Sequence, residues 1–400
     1  MRVAFETIRF FPSATGVRGL LLKYFSFEIT KEDLLTVGPY TVVDGGLDFE
    51  AHDKKFERFM GVLSRALKDT LFCTITKNPA TYIDRTSGVP LIGALEFGII
   101  DRGSNLIEIR PCSGCNLACT YCSVHEGPGG PKKRELVIEK DYLVEAFAEV
   151  AAVKTKPMEV FIETQGEPLL YADLPGMIRD LRARYDIVQV TMVTNGTFLT
   201  VDKAKELADA GLDRINWSIN SLDPVRAREI AGAHYDIERV KKLILEVSQH
   251  IPVLMCPVIM KDLNDDEMEA FVEFAKQVKK TEPIIGFQNF LYYKGGRNPV
   301  DEMPWEAFRE KLSALEEKHG VRLSVSAEDF SIVDDASLTK PFKKKQVIEV
   351  TKLFAGRMRN EMFCHASGRV VKVIGRVPDK EKFSVQLIRD KHNIFVGKAV

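Results

Sequence analysis

The sequence predicts an α/β protein: a partial (β/α)6 barrel, preceded by an N-terminal α+β region and followed by a small C-terminal β-barrel. Three observations carry this. Strand and helix signals alternate from Asn105 to about Val325, the pattern of a parallel sheet. After residue 345 the pattern changes to short strands and turns alone, as in a small barrel. The 400 residues also exceed one ordinary core, since a domain takes about 100–200 residues. The expected division is 1–104, 105–326, a linker at 327–345, and 346–400.

In the N-terminal region an amphipathic helix is expected over 56–71, and no catalytic motif stands out. Leu106–Arg110 reads as the first core strand. Further strands are expected over 159–163, 188–193, 214–219, 253–259 and 284–292, each short, rich in Val, Ile, Met or Phe, and bounded by turn residues. Helices are expected between them at 140–153, 175–185, 201–210, 236–248 and 265–278, with start signals such as Pro175 and Asp265. Six strands favour a partial barrel over an eight-stranded one. A helix at 304–319, a strand at 322–325 and a polar linker complete the middle. The tail strands are expected at 347–350, 369–374, 383–388 and 393–396.

Apolar residues make up 45% and charged residues 28%, ordinary for a globular protein. No apolar run approaches the roughly 18 residues that span a bilayer, and the N-terminus lacks a signal-peptide pattern. A cytoplasmic protein with no membrane partner is expected. From Lys340 onward there are 15 Lys and Arg against 5 Asp and Glu, which leaves the first 339 residues at −11. A basic tail on an acidic body suggests a polyanionic partner.

Four of the seven cysteines, Cys112, Cys115, Cys119 and Cys122, fall within eleven residues. Crowding of this kind suits metal binding more than a disulfide framework. The three residues between Cys115 and Cys119 are too few to join two zinc knuckles. A bacterial ferredoxin run has other spacings and a proline after its last cysteine; here Ser123 follows. A structural zinc or iron–sulfur site using all four thiols is the plain alternative.

Cys115-x3-Cys119-x2-Cys122, with Tyr121 before the third cysteine, resembles the signature of the radical S-adenosylmethionine (SAM) superfamily. The resemblance runs from Asn105 to Val325. It implies a [4Fe–4S] cluster held by these three cysteines, SAM on the fourth iron, and reductive cleavage of SAM to a 5′-deoxyadenosyl radical, the cofactor supplying the difficult chemistry. It implies SAM contacts from Tyr121, and from Gly166 and Glu167 in a turn where Gln165 replaces the family's first glycine. Asn195, Ser218, Asn220 and Gln288, at the ends of later strands, are implied contacts as well, since ligands of parallel α/β folds bind at that edge. Taken singly, each could be an ordinary strand-end turn.

Some radical SAM RNA methylases place one cysteine near the cluster and another in a C-terminal segment. Cys112 and Cys364 are candidates for such a catalytic pair, with a buried thiol the alternative at each position. Residues 347–400 resemble a TRAM-type module of RNA-modifying enzymes, with Lys343, Lys344, Lys345, Arg357, Arg359 and Arg369 available to neutralise phosphates. A basic barrel used for internal packing is the alternative there. Overall the chain resembles a little-characterised archaeal group of radical SAM proteins. Together these resemblances imply an RNA-modifying enzyme, foremost a tRNA methyltransferase acting on an unreactive carbon, with a ferredoxin or flavodoxin as electron donor. A radical SAM enzyme for a peptide or small molecule, and a non-catalytic RNA-binding iron–sulfur protein, are the competing readings.

Overall fold

The computed structural model describes residues 1–50, 52–278 and 283–400. The N-terminal region contains β1 (Arg2–Val3), β2 (Ile8–Pro12), β3 (Gly16–Leu21), β4 (Phe25–Thr30), α1 (Lys31–Leu35), β5 (Tyr40–Val43), β6 (Gly46–Phe49), α2 (Phe56–Thr70), β7 (Phe72–Cys73) and β8 (Ala80–Ile83). These strands build a four-stranded sheet ordered β2-β3-β4-β7 and a three-stranded sheet β1-β6-β5. Helix α2 buries Phe59, Val62, Leu63, Ala66 and Leu67, spaced three and four residues apart along one face.

The middle of the chain runs through β9 (Gly98–Asp101), β10 (Leu106–Arg110), β11 (Glu135–Ile138), α3 (Lys140–Ala151), β12 (Met158–Ile162), α4 (Leu174–Arg184), β13 (Ile187–Thr194), α5 (Val201–Asp209) and β14 (Arg214–Trp217). It continues with α6 (Pro224–Ala231), α7 (Ile237–Val247), β15 (Val253–Met255), β16 (Val258–Ile259), α8 (Met268–Ala275), β17 (Gln288–Asn289) and α9 (Trp305–His319). The main sheet is ordered β15-β14-β13-β12-β10-β9. Its members from β10 to β15 are parallel, and only β9 runs against them. Strand β16 continues the path of β15 and pairs in parallel with β17, the sixth barrel strand. The partial (β/α)6 barrel predicted by the alternation is present.

Several details differ from the sequence expectation. The strand expected over 253–259 is split at Cys256-Pro257, because proline has no amide to give the ladder. Residues 322–325 form no strand; the Glu316 carboxylate accepts the amides of Leu323 and Ser324 instead, at 2.7 Å each. Helix α6 went unforeseen because eight residues carry little periodicity. Pro224 at its start and Asp223, accepting the amides of Val225 and Arg226, explain its formation. Strand β11, just after the cysteine loop, leaves the main sheet and pairs with β8.

The tail closes into a five-stranded barrel of β18 (Val347–Ala355), β19 (Glu361–Ala366), β20 (Arg369–Ile374), β21 (Lys382–Arg389) and β22 (Val396–Ala399), in the order β18-β19-β20-β22-β21. Strand β19 was missed because Glu361-Met-Phe-Cys-His-Ala366 has no β-branched residue. The strand expected over 393–396 lies later, a turn occupying Lys391–Asn393.

The barrel docks firmly on the body. Phe363 meets Phe97 edge-on at 5.4 Å and Phe354 at 5.2 Å between ring centres. The amides of Val370 and Phe395 donate to the carbonyls of Ile92 and Gly93 at 2.8 and 3.0 Å. Gly93 is required at that contact: its φ is +127°, and a Cβ would stand 2.3 Å from the Val370 carbonyl oxygen. Charge follows the same seam, with Arg357 paired to Glu126 and Glu135, Arg369 to Glu149, and Lys372 to Glu96. Three of the tail's fifteen cations therefore meet acidic residues of the body.

Candidate active site

The carboxyl ends of the barrel strands share one edge, and the cysteine loop lies across it. Leaving β10, the chain is held at Ser113, whose amide donates to the Leu136 carbonyl at 2.9 Å and whose hydroxyl donates to Glu135 at 2.7 Å. Gly114 then pairs with Gly166, and the Glu167 amide donates to the Gly114 carbonyl at 2.9 Å. A Cβ at Gly166 would fall 1.9 Å from that oxygen, so only glycine lets the turn after β12 touch the residue before Cys115.

Cys115, Cys119 and Cys122 are partly exposed and unpaired. The Leu117 amide lies 3.4 Å from the Cys115 sulfur, the Glu126 amide 3.3 Å from that of Cys122, and the Asn195 side-chain amide 3.9 Å from that of Cys115. Burial, with Cys122 adjacent, pushes the Cys119 thiol up to about 12, and burial raises Cys115 as well. Such thiols become good ligands only when a metal displaces their protons.

Beside the loop a cavity is lined by Cys119, Tyr121, Asn195, Ser218, Asn220 and Tyr235, among others. Asn220 donates to the Tyr121 hydroxyl at 2.6 Å and accepts the Val258 amide at 2.8 Å, so it fixes the ring before Cys122. The Ser218 amide is spent on the Thr194 carbonyl at 2.8 Å. At the end of β12, the buried Thr164 hydroxyl and Gln165 side-chain carbonyl have no hydrogen-bond partner among the described residues. Buried polar atoms left open in this way mark a place for a polar ligand. The donor chemistry suits a cluster and its SAM: three free cysteines on one loop, a cavity beside Cys119, and open polar atoms at the end of β12.

Glu167 is sealed at 1% exposure. Its carboxylate accepts the Leu169 amide at 3.0 Å, the Thr194 hydroxyl at 2.7 Å and the Asn195 amide at 2.8 Å. Burial raises its pKa to about 7 against these three donors. Both oxygens accept hydrogen bonds from the protein itself, so this carboxylate ties together the turns after β12 and β13. Gln288, on β17, is exposed with its side chain uncommitted among the described residues.

The thiol pair is corrected. Cys112 is fully buried in the body core, its pKa raised by burial and then by nearby Cys73. Cys364 is fully buried in the separate core of the tail barrel, and burial pushes it up to about 12. Neither presents a thiolate to a substrate. Arg357 and Arg369 fail as phosphate contacts for the same reason: they are 0% and 8% exposed and consumed by Glu126, Glu135 and Glu149. Lys343, Lys344, Lys345 and Arg359 are exposed.

Sequence reasoning missed Glu126, Asn116 and Tyr235. Asn116 accepts from the Asn195 side chain at 3.1 Å, and the Tyr235 hydroxyl donates to the Asn195 carbonyl at 3.1 Å. Arg297 donates to the carbonyls of Cys119 and Glu126 at 3.0 and 2.9 Å.

Residues 109–275 match the radical SAM superfamily model. The chain is 32% identical over 397 residues to the uncharacterized protein MJ0103 of Methanocaldococcus jannaschii, with 90% of each chain covered. It is 28% identical over 243 residues to GTP 3′,8-cyclase of Campylobacter jejuni subsp. doylei, covering 59% of this chain and 74% of the relative. Among solved structures, SuiB of Streptococcus suis bound to SAM aligns over 81% of this chain and 72% of its own, at 13% identity and a TM-score of 0.45. No helix among the described residues is long and apolar enough to cross a membrane. The chain belongs to the radical SAM superfamily, whose members use a [4Fe–4S] cluster and SAM.

Proposed function

We propose that this radical SAM enzyme takes hydrogen from an unreactive carbon of an RNA nucleoside, foremost in tRNA. Cys115, Cys119 and Cys122 hold the cluster, and Thr164, Gln165, Gly166, Ser218 and Tyr121 surround its SAM. The bound pair supplies one-electron cleavage of the sulfonium, with the electron arriving from a ferredoxin or flavodoxin. The protein's part is orientation. Glu167 and Asn195 fix the strand ends, Asn220 fixes Tyr121, and Asn195 and the Glu126 amide address cluster sulfurs.

The observation that carries the RNA reading is the 291–297 loop. Tyr292 and Tyr293 stand 65% and 48% exposed there, beside Lys294. The loop rests on the cysteine segment, the Arg297 amide donating to the Cys122 carbonyl at 2.9 Å. Exposed aromatics with adjacent cations at a reactive mouth suit stacked, unpaired bases. Lys343, Lys344, Lys345 and Arg359 are further exposed cations, on the tail. Methyl transfer through two thiols loses its support, because Cys112 and Cys364 lie in separate cores.

The burial of Arg357, Arg369 and Lys372 at the barrel seam favours a second reading, a free purine nucleotide as substrate, which the cyclase relatives also suggest. Binding separates the two. On the RNA reading, tRNA affinity falls steeply with salt, and replacing Lys343, Lys344 and Lys345 by Ala reduces the slope of log affinity against log salt by roughly 2. Tyr292→Ala then weakens binding by about 1–3 kcal/mol. Salt-insensitive tRNA binding, or binding indifferent to these changes, refutes it.

A further inference from the structure

The cysteine loop is gripped from outside the barrel that carries it. Arg357, in the turn between β18 and β19 of the tail, is 0% exposed. Its guanidinium forms a fork with Glu126, one arm at 2.9 Å, and also reaches Glu135. Its Nε donates to the Arg134 carbonyl at 3.0 Å, and its own carbonyl accepts the Lys133 amide at 2.7 Å.

The two carboxylates lie at opposite ends of the cysteine segment. Glu126 follows Cys122, and its amide points at that sulfur from 3.3 Å. Glu135 accepts the hydroxyl of Ser113, which precedes Cys115 by two residues, at 2.7 Å. One cation thus joins the entry and the exit of the loop. We infer that Arg357 is a positioning residue for the iron–sulfur cluster, and that the docked tail barrel completes the cluster site. This rests on the reading that Cys115, Cys119 and Cys122 are the ligands.

The electrostatics makes the clamp specific. Arg357 sits against two buried carboxylates, and without it they are left uncompensated and mutually repelling. They then separate, and the Glu126 amide leaves the Cys122 sulfur. Loss of a hydrogen bond to a cluster sulfur lowers the reduction potential, and a loosened loop admits solvent. The other ion pairs at the seam, Arg369–Glu149 and Lys372–Glu96, hold the barrel without touching the cysteine segment. They separate positioning from docking.

The test uses the full chain reconstituted anaerobically with iron and sulfide, comparing wild type with Arg357→Gln, Arg357→Lys, Glu126→Gln and Arg369→Gln. The readouts are iron per chain, the rate of cluster bleaching under an iron chelator, and the midpoint potential by EPR titration. Arg357→Gln is expected to bleach roughly ten- to hundredfold faster, with a lowered potential. Arg357→Lys recovers part of the loss, Glu126→Gln also bleaches faster than wild type, and Arg369→Gln behaves as wild type. If Arg357→Gln does not fold, Glu126→Gln carries the comparison. Wild-type bleaching in both clamp variants, or equal loss in Arg369→Gln, overturns the inference. A wild type that takes up no [4Fe–4S] cluster, or a Cys122→Ala protein that keeps one intact, overturns the ligand reading instead.

Discussion

The Glu167 carboxylate accepts the backbone amide of Asn195 at 2.8 Å, fastening the end of β12 to the end of β13. Asn195 in turn reaches Cys115 and Asn116, while its carbonyl receives the Tyr235 hydroxyl. A buried acid thus aligns the turns at the ends of neighbouring barrel strands.

That arrangement has a pH signature in the cluster-free protein. The Glu167 carboxyl is raised from 4.5 to about 7, with burial the main cause. A raised group stabilises fully below its unfolded value, and that stability is lost as pH rises through the folded value. The unfolding free energy from urea titrations should therefore fall between pH 4.5 and 7, by an amount on the order of 3 kcal/mol from this residue. Glu167→Gln should flatten the profile; an unchanged slope would show that another group is responsible.

The opposite sign applies at Asp335. Slight burial opposes its ionisation, but the Thr155 hydroxyl and the amides of Ala336, Lys156 and Thr155 outweigh it and hold the carboxyl at about 2. The stability it lends is present above the ordinary value of 3.8 and is lost as pH falls toward 2. Because it ties the segment before the tail barrel to the body, protease cleavage near residue 335 should accelerate in that acid window. Asp335→Asn should cleave readily at neutral pH as well.

Phe363 anchors the barrel seam between Phe97 and Phe354. Phe363→Ala should cost about 3–5 kcal/mol, visible as a lower melting temperature and early proteolytic release of the tail. A melting curve like that of wild type would mean that the aromatic contact is dispensable.

Cys112→Ala and Cys364→Ala should leave SAM cleavage and product formation unchanged, since both thiols are sealed in apolar cores. Abolished turnover in either, with iron content intact, would restore a chemical role for that thiol.

Periodicity made the fold legible where elements were long. Leu106–Arg110 agrees to the residue with its expected range, and α2 ends one residue early. Short or locally unmarked elements escaped, such as α6 and β19. At the site, the cysteine spacing and the Gly166 turn were visible because their chemistry is local. The fate of Arg357, Arg369, Cys112 and Cys364 was not, because it depends on partners far away in sequence: Glu126 and Arg357 are 231 positions apart. The charge excess of the tail was read correctly as a count. Composition alone does not say that Arg357, Arg369 and Lys372 face acids of the same chain.

The most direct test is Mössbauer and EPR spectroscopy of the reconstituted protein with and without SAM, alongside assay for 5′-deoxyadenosine after reduction. The expected result is one [4Fe–4S] cluster on Cys115, Cys119 and Cys122, perturbed by SAM at a single iron, with reductive SAM cleavage retained in Cys112→Ala. A cluster with four cysteine ligands and no response to SAM, or zinc in its place, would contradict it.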